Sequence, residues 1–204
     1  AEHRMDAEAF LAAARESVIL DVRSPSEHAQ GHLPGAISFP LFLDEERAVV
    51  GKTYKQVGQT EAIETGLGIV GPKLQALANR ARALFDAQAS PRPLLLYCWR
   101  GGMRSGSVDW LLRTAGIPTV LCDGGYKACR SHFNHVLEAP RPYVVVGGMT
   151  GSAKTDVLHA LRNQEARVLD LEGLAKHFGS AFGNLEAHAQ PSTEQFTNLL
   201  AWQL

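Results

Sequence analysis

The apolar run PLLLY, residues 93–97, ends at Cys98 and passes straight into the glycine-rich stretch WRGGMRS. A short apolar run without alternation, bounded by turn residues, reads as a strand buried on both faces, as in the centre of a parallel sheet. A helix is predicted near 104–115. Residues 118–122, PTVLC, give the next strand, and Gly124-Gly125 ends it. Upstream, SVILDV (17–22) reads as another buried strand, with Asp21 near its C-terminal end. Strand, loop and helix in alternation predict an α/β domain on a parallel sheet.

Between these strands, RSPSEHAQGHLPGAISFP is rich in Ser, Gly and Pro and reads as loop with one short helix near Glu27. A helix is expected over 53–67. A stronger one is expected over 73–87, where Leu74, Leu77, Ala78, Ala81, Leu84 and Phe85 recur at helical spacing behind Gly71-Pro72. Residues 132–142 read as a connection. The run YVVVG (143–147) then opens a second unit as a fresh strand, followed by a glycine-rich loop, a helix near 153–163 and a strand at 167–171. A last helix is signalled by Ser192 with Glu194 nearby. The organisation expected is a first domain over 1–135 and a second over 136–204. The second is short for a nucleotide-binding sheet, so it is expected to be incomplete, with more of the protein beyond Leu204.

Composition narrows the function. The chain is 45% hydrophobic and 20% charged with a net charge of −1, as in water-soluble globular proteins. No apolar run approaches the roughly 18 residues that cross a bilayer, and AEHRMDAEAF carries no export signal. No membrane partner is expected. Three cysteines, Cys98, Cys122 and Cys129, none in a C-x-x-C pair, argue against a disulfide framework or a structural zinc and for a reducing, cytoplasmic setting. No metal site is predicted. The near-zero net charge hides a local bias. Residues 92–135 hold six Lys/Arg against two acids, a net of +4, which suits an anionic substrate.

The sharpest chemistry lies in Cys98, Trp99, Arg100, Gly101, Gly102, Met103, Arg104 and Ser105. A helix N-terminus offers free N–H groups and a positive dipole end, and glycines let successive amides point inward. A cysteine at the base of that cradle has its thiolate stabilised, and the cradle also suits a persulfide, a selenopersulfide or an oxyanion. Arg100 and Arg104 add donors for a phosphate-like group. The competing reading, a core cysteine, leaves the two glycines and two arginines without a purpose. Cys122 and Cys129 read as structural, with a resolving-thiol role the alternative for Cys129.

A second loop follows the YVVV run. Gly148, Thr150, Gly151, Ser152, Ala153, Lys154 and Thr155 follow the pattern G-x4-G-K-[ST], except that Ala153 stands where the second glycine belongs. Loop amides would surround a diphosphate and Lys154 would neutralise it. The Cβ of Ala153 crowds that approach. Asp170 and Glu172 are candidates for positioning Mg²⁺ or a substrate group, or are acids facing solvent.

DVRSPSEHAQGHLPGAISFP (21–40), the Cys98 loop and DGGYKACR (123–130) occur in the order of the rhodanese signatures, and residues 15–132 resemble that family. The resemblance implies that Asp21, Arg23, Glu27 and His32 are framework residues pinning the loops. Cys98-x5-Arg104 also fits the cysteine phosphatases, which carry His before the Cys where this chain has Tyr97. A rhodanese domain followed at once by a P-loop resembles the tRNA 2-selenouridine synthases. The likeness includes CWRGGMRSG, GMTGSAKT, VLDLEGLA (168–175) and QPS (190–192). It implies a rhodanese-like parallel-sheet domain followed by the start of a P-loop NTPase-like α/β domain. It also implies a transferase acting on wobble 2-thiouridine of tRNA: S-geranylation from geranyl diphosphate, then selenium transfer from selenophosphate. No tightly bound cofactor is implied beyond these substrates and a candidate Mg²⁺. Two alternatives stay open: a rhodanese-type sulfurtransferase carrying persulfide on Cys98 with a vestigial P-loop, and a nucleotide-binding regulatory module.

Overall fold

A computed structural model describes residues 3–149, 151–177 and 189–204. The chain divides into two compact units, Ala1–His132 and Phe133–Leu204.

The first unit is built on five strands: β1 (Arg4–Met5), β2 (Ile19–Asp21), β3 (Ile37–Ser38), β4 (Leu94–Tyr97) and β5 (Thr119–Cys122). Their order is β1-β5-β4-β2-β3 and every pairing is parallel. The run ahead of Cys98 is therefore the central strand, and all four of its residues are buried. Asp21 pairs in register with Tyr97, so the C-terminal ends of β2 and β4 lie side by side. The chain leaves β2 toward one edge and β4 toward the other. Such a switch point is where parallel α/β sheets hold their ligands.

Alternation along the strands divides the core. Leu20, Leu94, Leu96 and Leu121 pack in one cluster with Leu77 and Ala81 of α5 (Leu74–Asp86) and Val108 and Leu112 of α6 (Met103–Thr114). Each fully buried leucine contributes about 2 kcal/mol. Tyr97 points the other way, where its ring meets Phe10 of α1 (Ala7–Ala13) edge-on at 6.5 Å and stacks near Tyr126 at 5.9 Å.

Several expectations are corrected. The helix predicted over 53–67 is two helices, α3 (Asp44–Gln56) and α4 (Gln59–Val70), separated at Val57-Gly58. The Glu46 carboxylate accepts from Leu43 N at 2.8 Å and so sets the start of α3 in an acid-rich first turn. The short helix near Glu27 is α2 (Pro25–Gln30), capped by Ser24 and Glu27 with Pro25 at its first position. Residues 132–138 are not a connection: α7 (Gly125–Glu138) runs through them because Tyr126, Cys129 and Phe133 bury one helical face.

The second unit contains α8 (Lys154–Asn163), α9 (Leu171–Ala175) and α10 (Thr193–Gln203). Ser192 caps α10, accepting from Gln195 N at 3.0 Å. The strands expected at 143–147 and 167–171 are not formed, and among the described residues this unit has no strand. A strand needs a neighbour for its ladder of N–H and C=O groups. The two segments do not pair with each other, and Val144 and Val145 are 96% and 86% exposed.

Candidate active site

Cys98 leaves the end of β4 at the base of the loop that leads into α6, with 3% of its surface exposed. Ser105, buried in the first turn of α6, places its hydroxyl 3.2 Å from Cys98 Sγ and 3.2 Å from Gly102 O, donating to one at a time. Burial alone pushes the Cys98 thiol up. The Ser105 hydroxyl and the backbone N–H groups of Ser105, Arg100 and Gly102 outweigh it and hold the thiol below its ordinary value.

The loop is held from behind by the start of α7. Tyr126 N donates to Cys98 O at 2.8 Å and Lys127 N to Trp99 O at 3.0 Å. This approach depends on Gly125 at φ +60, where a Cβ would collide with Cys98 O, and on Gly101 at φ +67, where it would lie 2.6 Å from Cys122 O. Arg4 clamps the far side, reaching Gly101 O at 3.0 Å and Asp123 at 2.6 Å.

Beneath the loop is a buried polar cluster. Arg23 and Asp21, 1% and 0% exposed, form two-point hydrogen bonds, the shortest 2.6 Å, and Arg23 also donates to Gly31 O at 2.6 Å. Tyr97 Oη donates to Asp21 at 2.8 Å and accepts from Leu33 N at 3.2 Å. The Arg23 guanidinium lies 3.9 Å from the Tyr126 ring centroid. Burial would lower the Arg23 pKa, but the Asp21 hydrogen bond and charge, with smaller contributions from Tyr97 and Tyr126, raise it above its ordinary value. Burial, reinforced by Asp21, pushes the Tyr97 phenol well up, so it stays a neutral donor.

Glu27 joins α2 to the cysteine loop. Its carboxylate takes both terminal nitrogens of Arg104, at 2.6 and 3.3 Å, and lies 3.2 Å from Arg47. Partial burial pushes the Glu27 carboxyl up, but Arg104, the Ser24 N–H and Arg47 bring it below its ordinary value. Arg104, read as an anion ligand, is thus tied to the framework. Arg100 is exposed, and among the described residues no acid pairs with it. His32 stacks on His28 at 3.9 Å and binds His28 O through Nδ1 at 2.8 Å. Burial holds its pKa below the ordinary value. Trp99 and Met103 stand at the rim, both exposed.

Cys122 and Cys129 lie with their sulfurs 3.5 Å apart, and both are fully buried as free thiols. Cys122 and burial push the Cys129 thiol up, away from the reactive form.

In the second unit, Lys154 Nζ donates to Gly148 O and Met149 O at 3.0 Å each, folding back across its own loop. Gly151 has φ +80, and Ala153, directly ahead of α8, has φ +56. The position where the motif asks for glycine does require the left-handed conformation, and alanine holds it at a cost of about 1 kcal/mol. Ser152 is exposed, with its N–H donating to Met149 O at 3.2 Å, and Thr155 is exposed on the first turn of α8. Thr150 lies outside the described residues. Asp170 caps α9, accepting from Gly173 N at 2.9 Å, and Glu172 is exposed in the first turn. Among the described residues no group of three His, Cys, Asp or Glu is placed to hold a metal, and no helix is long and apolar enough to cross a membrane.

Tyr97, Tyr126, Arg4 and Gly125 are site residues that the sequence reading did not single out for these roles. Only the aromatic residue before Cys98 and the glycine pair at 124–125 gave a signal.

A cysteine in an amide cradle at the C-terminal end of a central parallel strand, backed by a buried Asp–Arg pair, agrees with the rhodanese-like domain family, which matches residues 6–132. The chain belongs to that family. Residues 141–204 match the tRNA 2-selenouridine synthase AAA domain. The chain is similar to the tRNA 2-selenouridine synthase of Nitrosomonas europaea, at 41% identity over 93% of this chain and 49% of that protein. It is 44% identical to that of Pseudomonas putida strain GB-1, over 90% of this chain and 49% of that one. The chain thus spans about half the length of the curated relatives it matches. A crystal structure of an N-terminal domain from Clostridium difficile 630 is 35% identical with a TM-score of 0.57, covering 63% of this chain and 96% of that domain.

Proposed function

We propose that this chain is the rhodanese-and-P-loop part of an enzyme that converts wobble 2-thiouridine of tRNA to 2-selenouridine. The observation that carries the reading is the Cys98 thiol, lowered by Ser105 and the loop amides, in a chain whose two parts both match tRNA 2-selenouridine synthases. In this reading the P-loop holds the diphosphate of geranyl diphosphate. The thiouridine sulfur attacks the first carbon of the geranyl group, the carbon–oxygen bond breaks, and pyrophosphate leaves with its charge held by Lys154. In the selenation step the Cys98 thiolate attacks C2 of the geranylated nucleoside and geranylthiol leaves; selenium of selenophosphate then displaces Cys98 from C2, and hydrolysis of the phosphorus–selenium bond releases phosphate. Arg100 is the main cation for selenophosphate and Arg104 a second one anchored by Glu27. The division at 135/136 and the cytoplasmic setting belong to the same proposal. Mg²⁺ beside the diphosphate is part of it as well, with Asp170 and Glu172 the acids nearest to that role.

The second reading, a persulfide-carrying sulfurtransferase with a vestigial P-loop, draws support from Ala153 and from the absence of strands among the described residues of the second unit. Mass spectrometry of nucleosides separates the two. A 2-thiouridine tRNA is incubated with geranyl diphosphate and then selenophosphate. Geranylated nucleoside followed by 2-selenouridine is expected, with Cys98→Ala losing only the second product and Lys154→Ala only the first. If neither product forms while Cys98 transfers sulfur from thiosulfate to cyanide, the sulfurtransferase reading replaces this one.

A further inference from the structure

We infer that the rim of the Cys98 loop is a docking face for an unpaired RNA nucleotide, with Trp99 as the stacking platform for its base and Lys127 as a contact for its phosphate. The inference rests on the tRNA reading above and adds where and in what form the RNA is held.

Trp99 is 40% exposed although the residue before it is almost wholly buried. Its position is nonetheless fixed. Lys127 N holds its carbonyl at 3.0 Å, and its indole meets the ring of Tyr126, itself fully buried, at 5.8 Å and 45°. A large aromatic anchored along one side, open on the other and adjacent to a nucleophile leaves ring surface for a ligand. It is the form that single-strand binders use to stack a base. Met103, 58% exposed on the first turn of α6, extends the apolar rim.

The charge around this platform is positive. Lys127 and Arg100 are exposed, and among the described residues neither is paired with an acid. Their backbones adjoin: Lys127 N donates to the carbonyl of Trp99, the residue directly before Arg100, at 3.0 Å. The nearby acids are occupied, Asp123 by Arg4 at 2.6 Å and Glu27 by Arg104 at 2.6 Å. A cation beside an exposed ring matches a phosphate beside a base.

The depth of Cys98 selects the RNA form. A base stacked within a duplex cannot bring its reacting atom to a sulfur that is 3% exposed at the base of a loop. An unpaired, turned-out base can. Stacking is indifferent to base identity, so the ring positions the nucleotide and leaves recognition of its 2-substituent to the cradle.

The test is fluorescence anisotropy with the full chain. One labelled probe is an RNA hairpin whose loop carries a single 2-thiouridine, and the other is the same strand annealed into a duplex. The hairpin is expected to bind more tightly than the duplex. Trp99→Ala should weaken hairpin binding by roughly ten-fold or more, with Trp99→Phe restoring it to within about three-fold. Lys127→Ala should lower the salt slope by about 0.7. Equal binding of hairpin by Trp99→Ala and wild type overturns the platform, as does failure of Trp99→Phe to restore what Trp99→Ala loses. Absence of hairpin binding by the wild-type chain overturns the docking face. Nucleoside mass spectrometry on the same proteins keeps the two proposals apart. Selenouridine formed by Trp99→Ala at unchanged KM removes the platform and leaves the reaction standing. Trp99-dependent hairpin binding without selenouridine keeps the docking face and removes the reaction.

Discussion

Ser105 Oγ lies 3.2 Å from Cys98 Sγ, seven residues away in sequence and held there by the first turn of α6. It is the side-chain group that, with three loop amides, offsets the effect of burial on the thiol. Removing the hydroxyl leaves burial less opposed, so Ser105→Ala should raise the Cys98 pKa. At neutral pH the thiolate fraction falls, and alkylation of Cys98 by iodoacetamide should slow several-fold. The rate-against-pH curve should move to higher pH with its plateau little changed. An unshifted curve would show that the amides alone hold the thiolate.

Glu27 and Arg104 tie α2 to the active loop through two hydrogen bonds. Both side chains are partly exposed, so solvent screens the pair. Breaking it with Arg104→Ala should cost about 1–2 kcal/mol, less than for a fully buried pair. The Glu27 carboxyl is held below its ordinary value in the folded protein. The pair's contribution is therefore complete above about pH 5 and is lost as pH falls through the folded-state value. Urea denaturation midpoints of wild type and Arg104→Ala should converge as the pH is lowered through that window. A constant gap between them would assign the loss to packing instead.

The Asp21–Arg23 pair presents the opposite case. Both side chains are essentially without solvent contact, and Tyr97 completes their hydrogen bonding. Asp21→Asn removes a charge that Arg23 cannot replace, so a buried guanidinium is left uncompensated. The expected loss is about 3–5 kcal/mol in urea denaturation. A double substitution of Asp21 and Arg23 should be less damaging than the sum of the two single ones.

The parts of the site that could be read from the sequence are those whose chemistry is local. Cys98, its glycines and Ser105 lie within eight residues on a strand–loop–helix segment, and their roles follow from that placement. Asp21 and Arg23 are two residues apart and carried a recognisable signature. Tyr97, Tyr126 and Arg4 were not legible because their roles depend on which distant segments adjoin: Arg4 reaches Gly101 across 97 positions. The end of α7 was obscured by His132, Asn134 and His135, whose polarity hid the helical repeat of Tyr126, Cys129 and Phe133. YVVV, residues 143–146, departs from the strand that its apolar run predicts for a different reason. An apolar run can become a strand only where a neighbour supplies the ladder, and no window of sequence contains that condition.

Ala153 sets the last prediction. It holds φ +56 directly ahead of α8, in a loop whose lysine already turns toward the carbonyls of Gly148 and Met149. Ala153→Gly removes the left-handed strain, worth about 1 kcal/mol, and clears a Cβ from the approach to the loop amides. Glycine also frees the unfolded chain, which offsets part of that gain, so thermal stability should change little. Affinity for inorganic pyrophosphate, measured by isothermal titration calorimetry, should rise by roughly five-fold. Lys154→Ala should abolish binding in both backgrounds. Pyrophosphate affinity unchanged by Ala153→Gly would mean that the Cβ points away from the phosphate path. The alanine would then be a conformational strain without consequence for the ligand.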